Sequence, residues 1–249
     1  MGDVIVKPAE ADTPAQSFPE RLLGIIISPA ETLADVARKP DFVAPLIALI
    51  LGAVAVTETM LWKIGMERLA RLGLEQSSAA SRMTPEQMEQ AVHQQARIGT
   101  IVAHPAAVLG PPIILLILGG LGILVVNVIF GARAKFKTVF SVICYADLVT
   151  LLGSLMAIAV ILFGDPDHYN PNTPIPSNIG FFLNPHEVSK PLYSLASSID
   201  IFSIWFLILA SIGLADCTER KVKPSSVFLV YGGIWVIWIL VKAGLAMLM

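Results

Sequence analysis

Five stretches of this chain, residues 44–63, 106–130, 139–163, 199–215 and 226–249, are almost continuously apolar. A helix of about 20 apolar residues crosses a hydrocarbon core of about 30 Å. In lipid each backbone N–H and C=O must find its partner within its own segment, so each stretch is expected to be a helix. The fold expected is all-α: a polytopic bundle of five transmembrane helices with interfacial amphipathic helices between and before them. Composition agrees, since 55% of the 249 residues are hydrophobic and 14% are charged, where soluble domains carry about a quarter charged residues. The lipid bilayer is therefore the first partner. A formal net charge of -2 supplies no basic surface for nucleic acid.

Charge sets the orientation. The segment GARAKFK after the second span holds Arg133, Lys135 and Lys137 with no acid, and the connector before the fifth holds Arg220, Lys221 and Lys223. Excess lysine and arginine marks cytoplasmic loops. The loop over residues 164–198 is the reverse, with Asp165, Asp167 and Glu187 against Lys190, and Pro166, Pro171, Pro174, Pro176 and Pro185 make it an irregular outer loop. The amino terminus is then cytoplasmic and the carboxyl terminus external. Residues 1–16 form a polar, disordered tail with no apolar leader, and Val6 stands where a myristoylation signal needs Ser or Thr. Cys144 and Cys217 fall near the reducing side and are read as structural thiols.

Short helices are signalled around this frame. Ser17 with Glu20 and Ser28 with Glu31 fit the capping-box spacing, each with a proline in the first turn. The second of these helices is expected to set Leu33, Val36 and Ala37 opposite Glu31, Asp35, Arg38 and Lys39, which suits an interface. Residues 64–105 read as an outer helical hairpin: Met66, Leu69 and Leu72 recur in the first arm, and a capping box at Thr84 and Gln87 opens the second.

Three segments taken together are familiar: SPAETLADVARKPDFVAPLIAL before the first span, GARAKFKTVFSVICYADL after the second, and SSIDIFSIWFLILASIGLADCTERKVKPSSVF near the end. Their order and spacing resemble the membrane domain of the Yip family, the Ypt/Rab-interacting membrane proteins, in its short bacterial-type form, so residues 17–249 are expected to be one Yip-like membrane domain. In eukaryotes the resemblance implies traffic adaptors that engage small GTPases through a longer cytosolic region. With a short tail here, small GTPase binding is not expected. For bacterial-type members the resemblance implies a multi-pass inner-membrane protein with no defined reaction.

Polar residues inside the spans are the remaining candidates for chemistry, because a charge in a membrane helix is costly and points to function by default. Asp147 lies within the third span and is expected to bond Asn127 or the basic connectors. Its pairing with Asp216 would suggest an intramembrane aspartyl protease, but Tyr-Ala-Asp and Gly-Leu-Ala-Asp depart from the motifs such enzymes need. Ser154 lacks a histidine base at its depth, since His93, His104, His168 and His186 fall in outer segments or at a span's edge, and no histidine spacing suits a metal. Glu58 and Lys242 share a depth in the outer leaflet, where they either form an ion pair, or Lys242 snorkels to the outer headgroups while Glu58 faces water with the hairpin. Ala48 and Gly52, and Gly153 and Ala157, are small pairs at four-residue spacing that let helices approach closely. The glycines Gly119, Gly120 and Gly122 are read as packing positions rather than a phosphate cradle.

No cofactor and no catalysis are expected. The function expected is a non-enzymatic membrane scaffold or adaptor whose partners are other membrane proteins or a second copy of the chain. The alternative is a transporter or channel subunit that uses the polar residues within the spans.

Overall fold

The computed structural model describes residues 16–75, 77, 82–165, 169–170, 173–184, 187–219 and 221–247, so the tail expected over 1–16 lies outside the described residues but for Gln16. The described residues build ten α-helices: α1 Phe18–Ile27, α2 Pro29–Arg38, α3 Val43–Lys63, α4 Met66–Glu75, α5 Pro85–Ile123, α6 Phe136–Asp147, α7 Thr150–Phe163, α8 Lys190–Ser198, α9 Ile201–Asp216 and α10 Pro224–Leu245. Their β content is one isolated bridge, Asn178 to Asp200. Four helical stretches are long and apolar enough to cross a membrane: Val43–Lys63, Pro85–Ile129, Phe136–Phe163 and Pro224–Leu245. The fifth apolar stretch is the shorter helix α9, 16 residues long.

Helix α6 stands at the centre. Every residue from Val139 to Ala146 is buried, as expected of a helix with neighbours on all sides. It packs on α5, α9 and α2, while α3 lies outside against α5 and α7. Gly213 of α9 permits the closest approach: a Cβ there would sit 2.5 Å from Val142 Cγ1 and 3.3 Å from Leu33 Cδ2.

The amphipathic helices before the first span are part of this core. Leu33 and Val36 of α2 are fully buried between α6 and α9. Asp35 was expected on the outward face, and the structure corrects that: it is 2% exposed and faces Arg21 of α1, itself 3% exposed. Arg21 Nε and Nη2 donate to Asp35 Oδ2 at 2.9 and 2.7 Å, and Nη2 also donates to the Lys39 carbonyl at 3.0 Å. Arg38 Nη2 reaches Asp35 Oδ1 at 3.2 Å, and the guanidinium of Arg21 lies 5.3 Å from the ring centre of Tyr145. A charge can leave the surface where its partner and further hydrogen bonds go with it, and the pattern of one helix does not contain that partner.

At Ser17 the Glu20 carboxylate accepts from both the backbone N–H and the hydroxyl, at 2.7 and 2.8 Å. The box expected at Ser28 and Glu31 does not form. Ser28 both closes α1 and opens α2, at φ -140° and ψ 64°, away from the extended geometry that aims a capping side chain. The Thr32 hydroxyl instead donates to the Ser28 carbonyl at 3.1 Å.

No break separates the outer hairpin from the second span. Helix α5 continues through residues 105 and 106 and ends in a π-helical segment, Leu124–Ile129. Together with that segment its 45 residues follow a path of about 67 Å at 1.5 Å per residue. Pro105, Pro111 and Pro112 lie inside it. Lacking an N–H, they leave the carbonyls of Ile101, Ala107 and Val108 without their usual helical donors, a defect that membrane helices tolerate among polar neighbours. Helix α4 folds back on the amino-terminal part of α5. Arg71 Nη1 and Nη2 donate to both oxygens of Glu89 at 2.9 and 2.8 Å, and His93 Nδ1 stands 2.8 Å from Glu67.

The third span tightens midway without leaving the helical direction. Leu148 and Val149 form a turn between α6 and α7, where Leu148, Leu151 and Leu152 donate three residues back, to Tyr145, Leu148 and Val149. The outer loop also departs from the irregular form expected, since it holds a short 3-10 segment, Ile179–Phe182, and α8. Asp200 then caps α9 by accepting from the N–H groups of Phe202 and Ser203 at 2.8 and 3.2 Å, and the Ser177 hydroxyl donates to it.

Candidate functional site

The tightened turn in the third span puts Asp147 at the last residue of α6 and Thr150 at the first of α7. Eleven residues separate Asp147 from Phe136, so it stands about 16 Å along the helix from the basic entrance segment. It borders a cavity of about 330 Å³ between three helical elements. Leu49 and Ala53 of α3 form one wall, and Ala106, Gly110, Pro111 and Ile114 of α5 a second. Asp147, Thr150, Leu151 and Ser154 complete it. Ala106 and Ile114 are exposed, so the cavity opens on the apolar flank of the bundle.

Small residues make the neighbouring approaches possible. A Cβ on Gly52 would fall 2.6 Å from Leu151 Cδ2 and 3.7 Å from Ser154 Oγ, which brings α3 against α7. Ala48 is half-buried against the same core. On the far side of α7 a Cβ on Gly153 would meet the Phe202 ring at 3.2 Å, and Ala157 is buried. Gly119 and Gly122 admit Phe140 and Val139, while Gly120 has open space around it.

Asp147 is not bonded to Asn127. The Asn127 side chain closes the turn out of α5 instead, donating to the Ala134 carbonyl at 3.0 Å and accepting from the Ala134 N–H at 2.9 Å. This geometry uses both of its polar atoms at the positive-φ turn around Gly131. Nor does Asp147 reach a basic connector: its carboxylate makes no hydrogen bond or ion pair with a described residue. Asp216 ends α9, a helix away from this turn.

The hydroxyls beside Asp147 are committed. Thr150 Oγ1 donates to the Asp147 carbonyl at 2.7 Å and Ser154 Oγ to the Thr150 carbonyl at 3.2 Å. A serine whose proton is held by a backbone carbonyl, with no imidazole beside it, is not set up as a nucleophile.

The pairing of Glu58 with Lys242 does not occur. Glu58 Oε1 lies 2.7 Å from His104 Nε2 of α5, and Lys242 Nζ donates to Ser198 Oγ of α8 at 3.0 Å. The reason is lateral: α3 borders α5 and α7 whereas α10 borders α8 and α9, so equal depth brings no contact. Sequence reasoning also missed the Arg21 and Asp35 pair, for which the only signal was an acidic residue in the last turn of one short helix and a basic residue one helix earlier. His168 and His186 lie outside the described residues.

Among the described residues no three His, Cys, Asp or Glu side chains converge as metal ligands would. In comparisons with known proteins, the family model of the Yip1 domain matches residues 23–246. No curated protein and no solved structure matches the chain.

Proposed function

Because the chain belongs to the Yip1 domain family, we propose that this integral membrane protein is a non-enzymatic scaffold or adaptor for other membrane proteins. In this reading α9 is the fifth span, the amino terminus is cytoplasmic, and the protein sits in a bacterial inner membrane. The observation that carries the reading is α5. At about 67 Å with its π-helical end it is twice as long as a hydrocarbon core of about 30 Å. Its amino-terminal part leaves the apolar stretch as a polar arm, stiffened by α4 through Arg71 and Glu89. Gln87, Gln90, Gln94 and Arg97 are exposed on that arm at three- and four-residue spacing, which places them along one face. A rigid polar helix held clear of the bilayer is suited to docking.

Co-purification from native membranes tests this. The full-length protein should bring down a stoichiometric partner or a second copy, and Gln90→Arg with Gln94→Arg should lose it while the variant stays folded. An unchanged partner set would remove the arm from the argument. Specific solute flux through liposomes bearing the pure protein, abolished by Asp147→Asn, would overturn the scaffold reading in favour of a transport subunit.

A further inference from the structure

The hydrogen bonding around Asp147 specifies a ligand, and we propose that the cavity binds an organic primary ammonium carried on an apolar body. A carboxylate without an ionic partner, set among apolar walls at mid-span, is completed by a positive group. Which cation fits is decided by the other polar atoms. Thr150 and Ser154 have each given their single hydroxyl proton to a backbone carbonyl, so each can offer the cavity only lone pairs. One carboxylate and two hydroxyl acceptors match the three N–H donors of an alkylammonium.

A bare metal ion fits less well. Calcium takes about six to eight oxygen ligands, and the remaining walls are Leu49, Ala53, Ile114 and other carbon surface. That same carbon surface suits the body of an amphiphilic amine. A cavity of about 330 Å³ lies at the lower end of the range for small-molecule sites, about 300 to 1,000 Å³. Its opening on the apolar flank between Ala106 and Ile114 lets such a molecule enter from the bilayer without crossing water.

The test uses the full-length protein in nanodiscs with hexylamine as probe, and hexanol and hexyltrimethylammonium as controls of the same chain length. Hexylamine should bind saturably and raise the unfolding midpoint. Asp147→Asn should weaken binding at least about tenfold, since a hydrogen bond to a charged group is lost. Ser154→Ala, a small change on a half-buried side chain, should weaken it about threefold and keep the fold intact. Hexanol lacks the charge and hexyltrimethylammonium lacks the donors, so neither should compete. Equal competition by either control, hexylamine binding that ignores both substitutions, or Asp147-dependent binding of sodium in place of the amine would each overturn the proposal.

Discussion

Replacing Asp35 by Asn keeps the volume of the side chain and removes its charge. Arg21, only 3% exposed, would then face a neutral amide in place of its counter-charge, with the Lys39 carbonyl and the face of Tyr145 as its other partners. Breaking a buried pair in this way costs about 3 to 5 kcal/mol, because the surviving charge stays out of water. Arg21→Met should cost less, about 3 kcal/mol, because Asp35 would keep Arg38 and the Gln16 N–H as donors. Arg38 is itself half in solvent, with 52% of its side chain exposed, and replaces little of what Arg21 supplies. Removing both charges, by combining Arg21→Met with Asp35→Asn, should cost well below the sum of the two single losses. The assay is equilibrium unfolding of the pure protein in mixed micelles titrated with a denaturing detergent. Losses in the double variant that add to within about 0.3 to 0.5 kcal/mol would refute the coupling. Single variants with the parent's midpoint would show that apolar contacts at Leu33 and Val36 hold α1 and α2 without the pair.

Reporters fused after Lys137 or Lys223 should read cytoplasmic and one near Asn172 external; reversed signals would invert the orientation, and a cytoplasmic carboxyl terminus would reject five spans. Gly213→Ala should cost about 1 to 3 kcal/mol through overpacking against Val142, so an unfolding midpoint equal to the parent's would mean that α6 and α9 can separate freely. Gly153→Leu with Ala157→Leu should disrupt assembly of α7 on α9, and normal accumulation and heat resistance would show that these positions tolerate bulk. The Arg71 hydrogen bond holds the Glu89 carboxyl below its ordinary value of 4.5. Its contribution to the hairpin is therefore present above that value and is lost as pH falls through the lowered one. Amide exchange over α4 should accelerate in that acid range, and Glu89→Gln should remove the pH dependence.

Length and apolarity made the membrane helices legible from sequence. Val43–Lys63 begins and ends within a residue of its expected bounds, because a hydrocarbon core imposes a length and a composition on any segment that crosses it. What remained hidden was lateral. Sequence depth put Glu58 level with Lys242, but helix order around the bundle gave Glu58 to His104 and Lys242 to Ser198. Asp35 was assigned outward because its own helix has a more apolar side, and only the packing of α1 over α2 reveals Arg21 as its partner. Asp147 was visible as an oddity of composition. Its surroundings were not, since they depend on the turn at Leu148 and Val149, which the largely apolar run of residues 139–163, free of proline, gives no reason to expect.

The single rod of α5 has a mechanical consequence. With one end tied by the Asn127 clamp, it works as a lever that pivots at that end. A tilt of about 5° about its inner end would carry Thr84 through about 6 Å, given a length of about 67 Å. The same tilt would move Gly110 and Pro111, roughly 30 Å from that end, by less than about 3 Å. A force applied at the tip is thus geared down to a small displacement at the wall of the Asp147 cavity, and a shift of that wall is geared up into a larger stroke at the tip.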